Sequence, residues 1–299
     1  VKRINSLALG LCLLTCVLTA PSLVARSFDD IIESQYITVA VYRDFAPFSY
    51  QIDDAAYGID IDLAHQIAKE LGLELRLRWM TADENVEDDL RNNLWKGHFL
   101  KRSVADLMLR VPYDKAYSLM RDDIGELVHE QVHIFAPYHT ESWQIIYNST
   151  QIESVSTIAV FQYHDIGVEV DSIPQFYLTS AFGGRMRERA KHFSSIPLAI
   201  DAMRQGEVDA AMGLRSQISH FQQEIDTTKY PLAQNAFPMM GRQQWDIGMA
   251  IKSQYRQLGY AIGDIVESMI KQGEMEKIFS KYHAIYQTPE LYLPAKTHP

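Results

Sequence analysis

Cysteine is almost missing from this chain. Its 299 residues hold two, Cys12 and Cys16, both near the N-terminus. Beyond residue 16 there is therefore no disulfide framework, no thiol nucleophile and no cysteine metal site. No apolar stretch after residue 25 is long enough to span a bilayer. Phosphate loops, Gly-x-Ser-x-Gly elbows, short repeats and low-complexity tracts are also missing, which sets aside the nucleotide-cradling and serine-hydrolase classes. Charge never runs in a block of one sign. The net charge of −10 argues against nucleic acid and against an anionic membrane surface as partners. What remains is ordinary globular composition, 47% hydrophobic and 22% charged, in a chain long enough for two lobes with real cores.

The first 25 residues read as a targeting segment. Lys2 and Arg3 form a positive start, and Leu7 to Leu18 is apolar but too short to cross a membrane comfortably. Cleavage is expected after Ala25, although Leu23 suits the −3 position poorly. A retained anchor is the rival reading. A lipoprotein site at Cys16 is another, weakened by Thr15 before it.

Tyr36 to Gly72 organises the rest. Tyr36–Tyr42 is β-branched and aromatic, as a buried strand requires. Arg43 to Tyr50 breaks it with Pro47 and sets Phe45, Phe48 and Tyr50 in a loop. Ile59, Leu63, Ile67 and Leu71 then recur at helical spacing, with Gly72 placed as a C′ residue. Leu73–Trp79 alternates as a half-buried strand, Asp83–Lys96 reads as a helix, and Val104–Leu109 as a strand ending at Arg110. This β-α-β-α-β order predicts a parallel sheet covered by helices. Val132–Ala136 reads as a strand stopped by Pro137, and Ser142–Tyr147 as another. The logic then repeats. Ile166–Val170 is a strand, Ser172 is an N-cap with Pro174 behind it, Ile196 to Met203 is a helix ending at Gly206, and Val208–Met212 is a strand ending at Gly213. Trp245–Ile251 is a return strand, followed by helices over Tyr255–Lys271 and Met275–Tyr282.

Four segments in this order carry a resemblance. They are Phe45-Ala46-Pro47-Phe48 followed by Gly58-Ile59-Asp60-Ile61-Asp62-Leu63, then Gln205 to Ala210, the return strand, and the last helix pair ending Lys281-Tyr282. Together they resemble the periplasmic solute-binding proteins of family 3, over about residues 35 to 285. The resemblance implies a two-lobed α/β fold of the type 2 periplasmic-binding kind, each lobe a mixed, mostly parallel sheet flanked by helices. It implies a signal peptide over 1–25, a discontinuous first lobe from 26–137 plus 240–287, a second lobe over 138–239, and an irregular tail over 288–299. It implies capture of a small polar solute in the periplasm for an ABC permease, with no catalysis and no cofactor. Asp106-Leu107-Met108-Leu109-x-Val111-Pro112 resembles an offshoot found beside quinoprotein alcohol dehydrogenases, whose partner would be a periplasmic redox enzyme. A dehydratase-like enzyme on the same fold is a further alternative, with Glu169 or Asp171 as the carboxylate it would need.

Capture asks for ring faces, fixed charges and free backbone N–H groups at helix starts. Phe45, Phe48 and Tyr50 supply rings, against the plain alternative that they pack into the lobe. Asp60 and Asp62 read as first-turn carboxylates that offset the helix dipole. Amino-acid binders of the resembled family carry Thr-x-x-Arg after the third strand, and this chain departs there. It reads Arg110, Tyr113 and Lys115 instead, and lacks the Asp expected after Met212. Arg110, Lys115 and Arg215 are the candidate cleft cations, and the candidate ligand contacts are Phe45, Phe48, Tyr50, Arg110, Tyr113, Lys115 and Ser172.

His129-Glu130-Gln131-Val132-His133 spells His-Glu-x-x-His, and His139 adds a third histidine. A zinc protease needs these on one helical face. His133 lies in a strand-like run, where residues four apart stand about 13 Å from each other. The match therefore reads as chance, and a non-catalytic metal site near the hinge, on His129, His133 and His139, is the alternative.

Overall fold

A computed structural model describes residues 25–99, 102–234 and 237–294; the targeting segment up to residue 24 and the tail from 295 lie outside the described residues. The first described helix is α1 (Phe28–Ser34), begun by a capping box between Ser27 and Asp30. β1 (Tyr36–Tyr42), a small hairpin of β2 (Tyr50–Ile52) and β3 (Ala55–Tyr57), and α2 (Ile59–Glu70) follow. Gly72 ends that turn at φ 69°, as the sequence predicts. Then come β4 (Glu74–Met80), α3 (Val86–Leu90), β5 (Leu107–Tyr113) and the short α4 (Lys115–Ser118). The helix predicted over 83–96 starts late because Asn85 caps it, accepting from the Asp88 N–H, and it continues as a π-helical turn over Arg91–Trp95.

β6 (Val132–Tyr147) corrects another expectation, since it runs straight through Pro137. The ladder to its neighbour is interrupted by a bulge at that point, so the N–H that proline lacks is not missed. The second half holds β7 (Ile166–Glu169), α5 (Ile173–Gly184), β8 (Ala190–Phe193), α6 (Ile196–Gln205), β9 (Ala210–Leu214) and α7 (Arg215–Gln222). Ser172 caps α5 and Gly206 ends α6 at φ 79°, both as predicted. β9 begins later than the sequence suggested and passes through Gly213, where a Cβ would collide with Ile196. The chain returns in β10 (Gln244–Lys252) and closes with α8 (Arg256–Lys271) and α9 (Glu274–Lys281). Beyond them a 3₁₀ turn over Glu290–Tyr292 gives the tail more order than expected.

Among the described residues eight strands form one sheet in the order β4-β1-β5-β10-β6-β9-β7-β8. β1 is parallel to β4 and β5, and β7 is parallel to β8 and β9, while β10 and β6 supply the antiparallel pairings. β6 pairs with β10 up to Ser142 and with β9 from Trp143, so a single strand leads from one lobe to the other. In the first lobe Val39, Ile67, Leu107 and Phe279 pack on one face of the sheet, and Leu90, Leu94 and Met108 on the other. The second lobe repeats this with Ile145, Val168 and Leu178 on one face and Ile146, Ile200 and Met203 on the other. Helices on both faces are what a mostly parallel sheet requires. The architecture is the two-lobed α/β fold that the sequence predicts. Among the described residues no helix is long and apolar enough to cross a membrane.

Candidate ligand-binding cleft

Two cavities between the lobes share Phe45, Glu169 and Leu214 and so form one cleft. The larger, about 540 Å³, is lined by Arg43, Asp83, Asp89, Arg110 and Trp245 among others. The smaller, about 290 Å³, is walled by Trp143, Ile173, Pro174 and Ile196. Most of these residues sit at or just past the C-terminal ends of strands: Phe45 after β1, Glu169 ending β7, Leu214 ending β9. Open α/β sheets bind ligands at such ends because the loops there converge while the strands hold them apart.

Phe45 is fixed by its own loop. Its N–H donates to the Ser49 carbonyl, and the N–H groups of Phe48 and Ser49 donate to its carbonyl. The Ala46–Pro47 peptide is cis. From the other lobe Gln217 donates to the Ala46 carbonyl at 3.2 Å, a contact across the cleft.

Arg110 does not end β5 as expected. It is a bulge within it: Leu109 pairs with Met249 and Val111 with Gly248, leaving Arg110 unpaired at φ 60°. β6 has its own irregularity on the opposite side of β10, where Ala136 takes φ 45°. Gly248 lies between the two. A Cβ on it would stand 2.7 Å from the Phe135 carbonyl oxygen, so only glycine lets both bulges close in. The guanidinium of Arg110 lies 3.5 Å over the Phe48 ring and 5.5 Å from the Phe45 ring centroid. Asp60 Oδ2 is 3.9 Å from Arg110 Nε, beyond hydrogen-bond reach, and Arg110 Nη1 is buried without a partner. Tyr138 donates to Asp60 Oδ1 at 2.9 Å. Burial pushes the Asp60 carboxyl up to about 6, against the lowering pull of Arg110 and Tyr138.

The other predicted contacts scatter. Phe48 is fully buried and meets the site only as the ring under Arg110. Tyr50 stands on β2 with its ring 6.1 Å from that of Tyr57 and lines neither cleft cavity. Tyr113 faces a separate cavity of about 850 Å³ on the other face of the crossing strands, beside Asp246 and Thr140. Lys115 is exposed on α4. Ser172 lines the smaller cavity, but its hydroxyl is engaged, donating to the Glu169 carbonyl and accepting from the Gln175 N–H. Arg215 is held by the Thr140 carbonyl and Gln287 and lines neither cleft cavity.

Trp143, Trp245 and Leu214 were not foreseen as cleft residues, and Glu169 was named only for the enzyme alternative. Position at a strand's C-terminal end was the signal available for Leu214 and Glu169. Burial raises the Glu169 carboxyl. Asp89 is likewise raised by burial, although it accepts from Tyr42 Oη and the Asp83 N–H.

The three histidines stand in separate surroundings. His129 is near Glu87 with its ring 4.3 Å from that of Tyr117, and His133 stacks on Phe135. His139 is fully buried in a chain that ties β6 to α7. Ser216 Oγ donates to Glu141 Oε2 at 2.5 Å, so His139 Nε2–H donates to Ser216 Oγ at 3.0 Å, while the Gln287 N–H donates to Nδ1. Among the described residues no three His, Cys, Asp or Glu side chains are grouped as a metal would need.

The fold defines the class: a two-lobed protein of the type 2 periplasmic-binding fold, with a cleft between its lobes. Residues 37–95 match the model for bacterial extracellular solute-binding proteins, family 3, so the resemblance read from the opening segment is borne out. Among curated proteins, cyclohexadienyl dehydratase of Pseudomonas aeruginosa is 39% identical over 62 residues, 20% of this chain and 23% of that protein. The chain thus matches about a quarter of that relative's length. Among solved structures, an ancestral cationic amino acid solute-binding protein gives a TM-score of 0.65 at 17% identity, over 85% of this chain and 98% of that one. An amino acid ABC transporter substrate-binding protein from Streptococcus pneumoniae, bound to L-arginine, gives 0.61 at 21%, over 85% and 97%. The arginine-, lysine-, histidine-binding protein of Geobacillus stearothermophilus gives 0.58 at 18%, over 86% and 97%. At these identities the structural likeness shows the fold.

Proposed function

We propose that this chain is an exported, periplasmic solute-binding protein. It captures a small polar ligand, amino-acid-like or carboxylate, between its lobes and hands it to an ABC importer. The first lobe would comprise residues 26–137 and 240–287 and the second 138–239. The observation that carries this reading is the cleft lined from both lobes, with the half-buried Phe45 at its junction and the Arg110 guanidinium at its floor. Neighbours of the same fold are amino acid solute-binding proteins, which supports a carrier rather than an enzyme. Two observations favour a dehydratase-like second reading: the partial relative is a dehydratase, and Glu169 is a carboxyl raised by burial in the cleft.

A thermal-shift screen of the chain begun at residue 26 tests this. The panel holds amino acids, di- and tricarboxylates, polyamines and sugars. A ligand at a hundred times its Kd adds about 2.7 kcal/mol of stability, seen as a raised midpoint. Mass spectrometry of the recovered ligand then separates carrier from enzyme, because a carrier returns it unchanged. A flat screen with folded protein would sink the capture reading and favour an accessory of a periplasmic quinoprotein dehydrogenase.

A further inference from the structure

We propose that the ligand is a carboxylate with an apolar body, its carboxylate on Arg110 and its body in the smaller cavity against Phe45, Trp143 and Ile173. This rests on the capture reading and narrows it to one chemical class. The Arg110 side chain is only 5% exposed, yet the nearest carboxylate stands at 3.9 Å and Nη1 has no partner. A desolvated guanidinium in that state favours an acceptor that takes two N–H groups at once, which a carboxylate does. The rings of Phe45 and Phe48 beside it offer no acceptor oxygen.

Five carboxylates line the larger cavity, and Asp44 and Glu84 among them are exposed to solvent, where an ion pair with an ammonium gains little. Asp89 already accepts from Tyr42 and the Asp83 N–H, and the Asp83 side chain accepts from Asn92. Glu169 borders both cavities, and burial raises its carboxyl.

The smaller cavity sets the body of the ligand. Its apolar walls are Phe45, Trp143, Ile173, Pro174, Ile196 and Leu214; of the polar residues that also line it, Ser172 is bonded to its own helix end and Gln217 to the Ala46 carbonyl, while Glu169 and Asp171 border it as well. Ile173 is 58% exposed and the neighbouring Val170 is 44% exposed. These apolar side chains at the mouth lose water only when an apolar group covers them. A compact zwitterion such as glycine would fill the Arg110 end and leave this wall wet.

Isothermal titration of the chain from residue 26 tests the proposal with indole-3-acetate, 4-phenylbutyrate and octanoate, their primary amides, L-arginine and glycine. The acids are expected to bind, with affinity rising with apolar size. Amides of the same acids should bind roughly 30-fold more weakly, as should the acids to Arg110→Gln, the loss typical of one charge-assisted hydrogen bond. Ile173→Asp, at an exposed position that leaves the fold intact, should weaken the acids at least about tenfold. It carries the test alone if Arg110→Gln fails to fold. Binding of L-arginine or glycine without the apolar acids would overturn the proposal and leave capture standing. Acids that bind equally well to both variants would overturn the placement. A titration in which nothing binds would overturn the proposal, and the broader thermal-shift panel then decides capture itself.

Discussion

Asp60 and Arg110 meet at 3.9 Å in a place closed to water, close enough to feel each other's charge and too far to share a proton. The pair ties the first turn of α2 to the bulge of β5. Burial raises the Asp60 carboxyl from 3.8 to about 6, so between those values the folded protein holds a proton there that the unfolded chain has released. Stability at this site therefore falls as pH rises through that window. The full span is on the order of 3 kcal/mol, from about 1.4 kcal/mol per unit. Melting curves from pH 4 to 7 should show the fall, and Asp60→Asn should flatten it. An unchanged slope in the variant would refute the assignment.

Glu141 has the opposite sign. Burial would raise its carboxyl, but the His139 ring 3.6 Å away, the charge of Arg110 and the hydroxyl that Ser216 donates hold it well below the ordinary 4.5. The N–H groups of Ser142 and Ser216 also donate to its Oε1. Its contribution is complete above pH 4.5 and is lost as the solution is made more acid. Glu141→Gln should cost about 3 kcal/mol near neutrality, as breaking a buried polar network does, and should shrink the acid-induced loss of stability. Urea titrations at pH 7 and pH 4 measure both effects. Equal destabilisation at the two pH values would argue that the carboxylate charge is unimportant.

The sequence displayed the fold more fully than the site. Periodicity and cap residues such as Ser172, Gly72 and Gly206 act locally, so they could be read directly. Phe45 was legible for the same reason, since its loop closes on itself. Pro137 misled because a local rule, that proline ends a strand, is suspended where a bulge removes the need for its N–H. Arg110 was found as a candidate but not its reason. Its setting depends on Gly248, more than a hundred residues away, and on the ring of Phe48. Trp143 and Trp245 belong to strands that cross between lobes, and no spacing along the chain brings those two together.

Gly248 is the residue most sensitive to a side chain in the sheet. Gly248→Val would drive a Cβ to 2.7 Å from the Phe135 carbonyl oxygen and 3.2 Å from the Tyr113 Cβ. Backbone on one side cannot yield cheaply, so a loss of at least about 2 kcal/mol is expected. Gly263 on α8 is the control. Nothing lies within 4 Å of its added Cβ, so Gly263→Ala should stabilise by about 0.5–1 kcal/mol through helix propensity. Guanidinium unfolding of both variants compares them directly, and a neutral Gly248→Val would show that the two bulges are not coupled through that position.

Trp143 and Trp245 give capture an optical signal. Their ring centroids are 4.7 Å apart, Trp143 lining the smaller cavity and Trp245 the larger. The Trp143 indole N–H donates to the Arg242 carbonyl at 3.0 Å, which fixes its ring at the crossing between lobes. A ligand that enters the cleft displaces water from both rings, and any lobe rotation alters their stacking. Of the four tryptophans, Trp79 and Trp95 line neither cleft cavity and should report nothing. Titration with a bound solute should therefore shift the emission of the parent protein. Trp143→Phe should remove part of that shift and Trp245→Phe the rest. A full shift retained in Trp143→Phe and Trp245→Phe alike would place the ligand away from this cleft.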